Sequence, residues 1–486
     1  MTSKNTGVVR YQEVDSDYLE KRKLRKSAGW VLLWAMGVGA VISGDYFGWN
    51  FGLTAGGFWG LAIGVFAMAV MYVCMVFSIA ELSAALPHAG GFYSFVRNAM
   101  GPTAGFICGL TDTVEYVVTP AVIVIGISDY VNQLVFAHGE APIYMQYIWW
   151  LAAYGLFVYI NMRGVELTLK FVLLITAVAA AVLIVFYIGV ISSGAFQWKL
   201  LFNVPPDPGY SATFLPKGWA GVFAALPSAI WFYLAIEQLP LAAEESHDAV
   251  KDMPKALILS ILTLLTLSLF TLVLNSGVGG GAVVVGKSES PLNDGFRAVW
   301  GNGWMTRGMT FAALAGLIAS FHSVIYAYGR VLFSLSRAGY FPRWISVCNR
   351  HNSPQTALIL GAVVGLVCAT LLALFEEMQV GQALLSMAVF GAVISYALVM
   401  ASFVLLRIRR PELVRPYRSP LGIPGAILGG LLSIVAMVAC FANQANRPGL
   451  YGTLLFLACG LAYYFAYSRH RLVAQAPEES IALERN

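Results

Sequence analysis

Four carboxyl side chains interrupt stretches that are otherwise built for lipid. Asp45 lies in "AVISGDYFGWNFGL" (40–53), Asp112 and Glu115 in "GLTDTVEYVV" (109–118), and Glu237 in "LPSAIWFYLAIEQLPLAAEE" (226–245). A carboxylate in hydrocarbon is costly and marks a functional position by default. Asp112 and Glu115 stand three apart and so share a helical face. Tyr46, Phe47 and Trp49 crowd Asp45, and Trp231, Phe232 and Tyr233 precede Glu237. Carboxylates among aromatic faces form a cage for organic cations, each face contributing on the order of 0.5–2 kcal/mol. The chemistry expected is recognition of an ammonium or an ion, with no bond made or broken. No phosphate-binding glycine loop, nucleophile motif or metal spacing accompanies these groups, so no enzyme activity, cofactor or metal is expected.

A structural role stands beside each functional one. Asp45 can serve as a helix cap. A protonated Glu237 can tie its segment to a neighbour, and Asp112 and Glu115 can bond backbone or hydroxyl groups. Single aromatics are more often packing than cage. Glu244 and Glu245 lie at a helix end and are expected to pair with basic loop residues such as Arg97.

The elements that must position these groups are membrane helices. The chain has 486 residues, 58% hydrophobic and 11% charged, with mean hydropathy +0.72. Soluble domains carry about 25% charged residues. Twelve apolar spans are expected, near 28–53, 57–80, 102–135, 144–161, 167–192, 218–241, 255–276, 308–334, 356–375, 383–406, 421–441 and 450–468. The fold class is an all-α integral membrane protein. With the N-terminus inside, the outer loops hold only Lys199, Lys217, Lys287, Arg297, Arg307 and Arg447 of the 30 Lys and Arg. That bias places both termini in the cytoplasm and the chain in the cell's inner membrane. It also makes a nucleic-acid reading of "KRKLRKS" (21–27) unnecessary. The first 27 residues are polar and suggest no secretory leader. The six cysteines show no CxxC pairing and read as buried apolar residues. The tail after 469, ending "QAPEESIALERN", is polar and expected to be disordered.

Two spans are interrupted. The first carries Gly44, Asp45, Gly48, Asn50 and Gly52; the sixth carries Pro227, Glu237, Gln238 and Pro240. They open two five-helix halves, and interrupted charged segments at matching positions point to a transporter site. Breaking a helix frees carbonyls at one half-helix end, which attract cations, and N–H groups at the other, which attract anions. Asp45 is expected to fall where the outer half begins and to cap its N–H groups. It would then occupy the place of a substrate carboxylate, favouring an amine without an acid.

Three further blocks carry a resemblance: "LPHAGGFYSFVRNAMGPTAGFICG" (86–109), "EQLPLAAEESHDAVKDMPKA" (237–256) and "YGRVLFSLSRAGYFPRWISVCNRHNSPQTA" (328–357). In that order they resemble the amino acid–polyamine–organocation (APC) superfamily transporters, with a match over about 28–468. The resemblance implies a leucine-transporter-type fold of two inverted repeats, 28–193 and 218–406. Around them lie an outer loop, 194–217, two added spans within 407–468, and tails 1–27 and 469–486. Asp45 stands where amino-acid carriers usually have the second glycine of a Gly-x-Gly break. "SGDYFGWN" paired with "AIEQLPLAAEE" resembles the ethanolamine permease branch, which implies import of ethanolamine or a close small amine. Choline or another methylated amine, an amino acid, and an amine-gated channel or sensor are the alternatives. The expected site is Ser43, Gly44, Asp45, Tyr46, Phe47, Asp112, Glu115, Trp231, Tyr233, Ala235 and Glu237. In sodium-coupled relatives an ion sits where span 8 meets span 1. Here span 8 carries "LIASFHSVIYAYGR" (317–330), so His322, Ser320, Ser323 and Glu115 are candidates for a coupling proton or sodium. A histidine bonded in the bundle core is the alternative for His322.

Overall fold

The computed structural model describes residues 3–6, 9–136, 141–142, 144–374, 380–442 and 447–479. The last residues of the tail lie outside them. Helices dominate because a backbone in lipid must satisfy its polar groups within its own segment. In chain order they are α1 (Trp30–Val41), α2 (Phe51–Ala85), α3 (Gly91–Met100), α4 (Pro102–Val135), α5 (Tyr144–Met162), α6 (Val165–Ser193) and α7 (Gly218–Ile230). There follow α8 (Ala249–Ser276), α9 (Trp304–Arg337), α10 (Gln355–Leu374), α11 (Val380–Arg409), α12 (Gly422–Ala442) and α13 (Arg447–Ala466). Among the described residues nine helices are long and apolar enough to cross a membrane. Of these, α4 and α9 are the most buried and form the middle of the bundle. On α6, Leu174, Ile188 and Ile191 are exposed, as a lipid-facing surface requires.

The first and sixth spans are interrupted where the sequence places glycine and proline. With 12 and 13 residues, α1 and α7 reach only about 20 Å, too short for a hydrocarbon core of about 30 Å. After α1 comes a single 3₁₀ segment, Ile42–Asp45, and then a turn through Asn50. Helix resumes at Phe51 and runs into the second span across Gly57, whose φ of +69° suits glycine. After α7 the chain turns through Ala235, at φ +83°, into a 3₁₀ segment, Ile236–Glu245, that contains Pro240. Proline cannot donate the backbone bond a regular helix needs there.

Both chain ends meet on one face of the bundle, called here the terminal face. An N-terminal hairpin pairs β1 (Ser3–Thr6) with β2 (Val9–Gln12), and β3 (Leu472–Val473) adds parallel to β2. The expectation of a disordered tail is therefore corrected through Glu479. Glu478 and Glu479 are fully buried because Arg337 and Arg97 neutralise them. The expected partner of Glu244 and Glu245 is corrected for the same reason. Both face α9, where Glu244 pairs with Arg337 at 2.7 Å and Glu245 with Arg330 at 2.8 Å, while Arg97 turns to the tail.

Candidate functional site

The two interruptions touch. Gly44 lies against the backbone carbonyl of Trp231, so closely that a side chain at 44 would overlap its oxygen. Gly48, at φ +93°, lies against the Trp231 indole. The rings of Trp49 and Phe232 stack at 5.2 Å, and those of Phe47 and Trp231 stand 6.4 Å apart. Neighbouring helices clamp this crossing. The Ser320 hydroxyl on α9 donates to the Gly39 carbonyl at 2.9 Å and accepts from the Ser43 N–H at 3.1 Å. The Tyr46 hydroxyl donates to the Ala179 carbonyl of α6 at 3.0 Å, and Tyr233 shares a bond with Ser268 of α8 at 2.9 Å.

The four carboxyls fall into two groups around that crossing. Asp45 ends the first 3₁₀ segment, fully buried, with neither oxygen hydrogen-bonded among the described residues. Beside it is the Thr271 hydroxyl of α8, held by Tyr187 of α6 at 2.6 Å. The expected cap is corrected, because the turn 46–50 separates Asp45 from the start of α2. Asn50 precedes that helix, accepts from the Gly48 N–H at 3.0 Å, and leaves the helix N–H groups uncapped by any side chain.

Glu237 belongs to the other group. Its Oε1 accepts from the Ala235 N–H at 2.9 Å, which stabilises the break. Glu115 of α4 and Tyr396 of α11 are its side-chain neighbours. The Glu115 carboxyl faces Glu237 and has no other hydrogen-bond partner among the described residues. Asp112, one turn away, accepts from the Ser395 hydroxyl at 2.5 Å. Tyr396 and Tyr72 share a bond at 2.9 Å, and the Tyr72 ring stands 5.3 Å from that of Tyr233. Tyr233 thus lies between the two groups. Among the described residues none of the four acids is ion-paired, and the buried arginines Arg97, Arg330 and Arg337 all pair with other carboxylates at the terminal face.

Of the ion-coupling candidates, Ser320 bridges α1 and α9, whereas His322 points elsewhere. Its ring lies between Phe157 and Phe171, with Nδ1 3.1 Å from the Asn161 amide nitrogen of α5. The buried Ser323 hydroxyl has no hydrogen-bond partner among the described residues. On the side of the crossing away from the terminal face, a cavity of about 70 Å³ is lined by Phe47, Asp129, Tyr130, Gln133 and Glu289. Sequence reasoning missed Tyr72, Tyr187, Thr271, Ser395 and Tyr396. The one available signal was the polar pair Ser395–Tyr396 inside the apolar run "VFGAVISYALVM" (389–400).

Comparison with known proteins fits this architecture. A family model described as amino acid permease matches residues 29–464. An uncharacterized transporter of Rhizobium meliloti is 30% identical over 72% of this chain and 74% of its own length. The branched-chain amino acid permease BcaP of Bacillus subtilis is 25% identical over 92% of this chain and 94% of its own. The D-serine/D-alanine/glycine transporter of Escherichia coli K12 is 24% identical over 77% and 79%. The match spans both interrupted helices and the carboxyls gathered round them, and the chain is accordingly a multi-pass membrane transporter belonging to the amino acid permease family of the APC superfamily.

Proposed function

We propose that this transporter imports ethanolamine or a closely related small organic amine by alternating access. The observation that carries the reading is the set of four buried carboxyls with no ion-paired Lys or Arg among the described residues. Burying such charge costs several kcal/mol per group unless a cation or a proton compensates it. An ammonium supplies that charge. In this reading Asp45, with the Thr271 hydroxyl, or Glu237, with Glu115, receives the ammonium, and the other group takes the substrate hydroxyl or a coupling proton. Ser43 and Ala235 hold the breaks through N–H groups bonded to Ser320 and Glu237, Gly44 lets the two segments touch, and Tyr46, Phe47, Trp231 and Tyr233 wall the space between. The terminal face lies in the cytoplasm of an inner-membrane protein, and the two halves 28–193 and 218–406 rock against each other.

A second reading, amino-acid transport, has its own support. The start of α2 is closed by its own backbone, Gly52 and Leu53 donating to the Trp49 and Asn50 carbonyls at 3.1 and 2.9 Å, so this support comes from the relatives. The named relatives transport branched-chain amino acids and D-serine, D-alanine or glycine. Proteoliposome uptake of labelled ethanolamine separates the two. Small amines should compete while leucine, alanine and serine do not, and Asp45→Asn and Glu237→Gln should each lower uptake about tenfold or more, as loss of a buried charge pairing implies. Saturable serine or leucine uptake without ethanolamine uptake overturns the amine reading. Imposed proton and sodium gradients then identify the coupling ion.

A further inference from the structure

The C-terminal tail is built into the terminal face in a way that packing alone does not require. Two adjacent glutamates near a chain end are fully buried, each against an arginine that is itself at most 5% exposed. Glu478 Oε1 accepts from Arg337 at 2.6 Å, and the same guanidinium donates to Glu244 at 2.7 and 2.9 Å. Glu244 belongs to the 3₁₀ segment after the second break, and Arg337 ends α9. One arginine therefore joins the tail, the interrupted sixth span and the central bundle. Glu479 takes Arg97 of α3 at 2.5 Å and accepts from Tyr340 at 3.1 Å and from Tyr11 of β2 at 2.9 Å. The interrupted first span is tied into the same assembly. The N–H groups of Ser27 and Ala28 donate to the Glu245 carbonyl at 2.8 and 3.0 Å.

We propose that residues 472–479 are a latch: the tail must release before Ile236–Glu245 can part from α9, so opening of the terminal face is gated by the protein's own C-terminus. Opening on this face requires the segment bearing Glu244 to leave Arg337. While Glu478 and Glu479 are seated, the seam between α3, the 3₁₀ segment and α9 is covered, with Glu478 packed beside Gly90 and Leu241 beside Gly91. When they leave, Arg337 and Arg97 lose buried anionic partners, water enters the seam, and the remaining Glu244 bond weakens as an exposed pair does.

Hydrogen–deuterium exchange on the full-length protein in lipid nanodiscs tests this without any substrate, so its outcome is independent of the amine reading. Glu478→Gln with Glu479→Gln should speed exchange in 236–252 and 88–100 by roughly tenfold or more, while 277–300 on the opposite side stays at the wild-type rate. Unchanged rates, or equal acceleration on both sides, overturn the latch. The wild-type protein supplies a test that needs no variant to fold. Tail amides 472–479 must exchange at least as fast as those of 236–252. A tail that stays protected while 236–252 exchanges also overturns the proposal.

Discussion

At the scale of single residues, the crossing of the two breaks depends on a missing side chain. Gly44 faces the Trp231 carbonyl, part of a backbone that cannot rotate aside. Gly44→Ala therefore forces the first and sixth spans apart, and overpacking of that kind costs about 1–3 kcal/mol. Gly155 on α5 is the matched control, since a methyl there meets nothing within 4 Å. Gly155→Ala should be neutral or stabilise by up to about 1 kcal/mol through helix propensity. Thermal unfolding of both variants in one detergent, with uptake measured alongside, checks the pair. An equal effect of the two substitutions would mean that the close approach at Gly44 is not what holds the breaks together. Glu237 separates fold from charge at the same scale. Glutamine at 237 keeps an oxygen for the Ala235 N–H, so Glu237→Gln tests the charge with the break intact.

At the scale of elements, the turn after α7 holds Ala235 at φ +83°, a left-handed conformation that costs a non-glycine residue about 1–2 kcal/mol. Ala235→Gly should remove that strain and raise the unfolding midpoint, whereas a β-branched valine should lower it by more than the glycine gains. A midpoint unchanged in both variants would show that the turn does not need this backbone conformation. The two interruptions themselves were legible in the sequence from Gly44, Gly48, Asn50 and Pro240, whereas Pro227, which the sequence also offered as a break, lies inside α7. Where each half resumes was not legible. Gly and Asn permit a turn of several lengths, and tertiary contacts hold this one: the Trp231 indole against Gly48, and the Asn50 amide donating to the Val285 and Ser288 carbonyls at 2.7 and 2.8 Å. The same limit explains the two carboxyl groups. Sequence order places Asp45 and Glu237 at equivalent positions, but which helix each one faces depends on rotation about the helix axis. Thr271 on α8 and Tyr396 on α11, which are distant in sequence, decide it.

At the scale of the whole molecule, the terminal face gathers both chain ends, α3, α9 and the second break, and it also sets an acid limit on stability. His88 sits in the loop before α3, its Nδ1 3.1 Å from the Ser94 hydroxyl. Burial, reinforced by the nearby Arg337 charge and opposed by Glu244, lowers its pKa from 6.5 to about 4. The folded protein thus keeps this imidazole neutral at a pH where the unfolded chain protonates it. Between pH 6.5 and 4 the unfolded state binds more protons, so stability falls as pH falls through that window, by up to about 2 kcal/mol at pH 5. Glu244, held low despite its burial by the Arg337 charge, loses its contribution only as pH drops below the ordinary glutamate value of 4.5. The net slope of the wild type mixes these groups, and the difference between wild type and His88→Asn isolates the histidine. Unfolding midpoints measured from pH 7.5 to 4.5 should fall more steeply in the wild type than in His88→Asn, with the divergence opening near pH 6.5 and the curves parallel above it. Parallel curves throughout would mean that His88 takes up its proton in the folded protein, and that the seam beside Arg337 is open to water even with the tail seated.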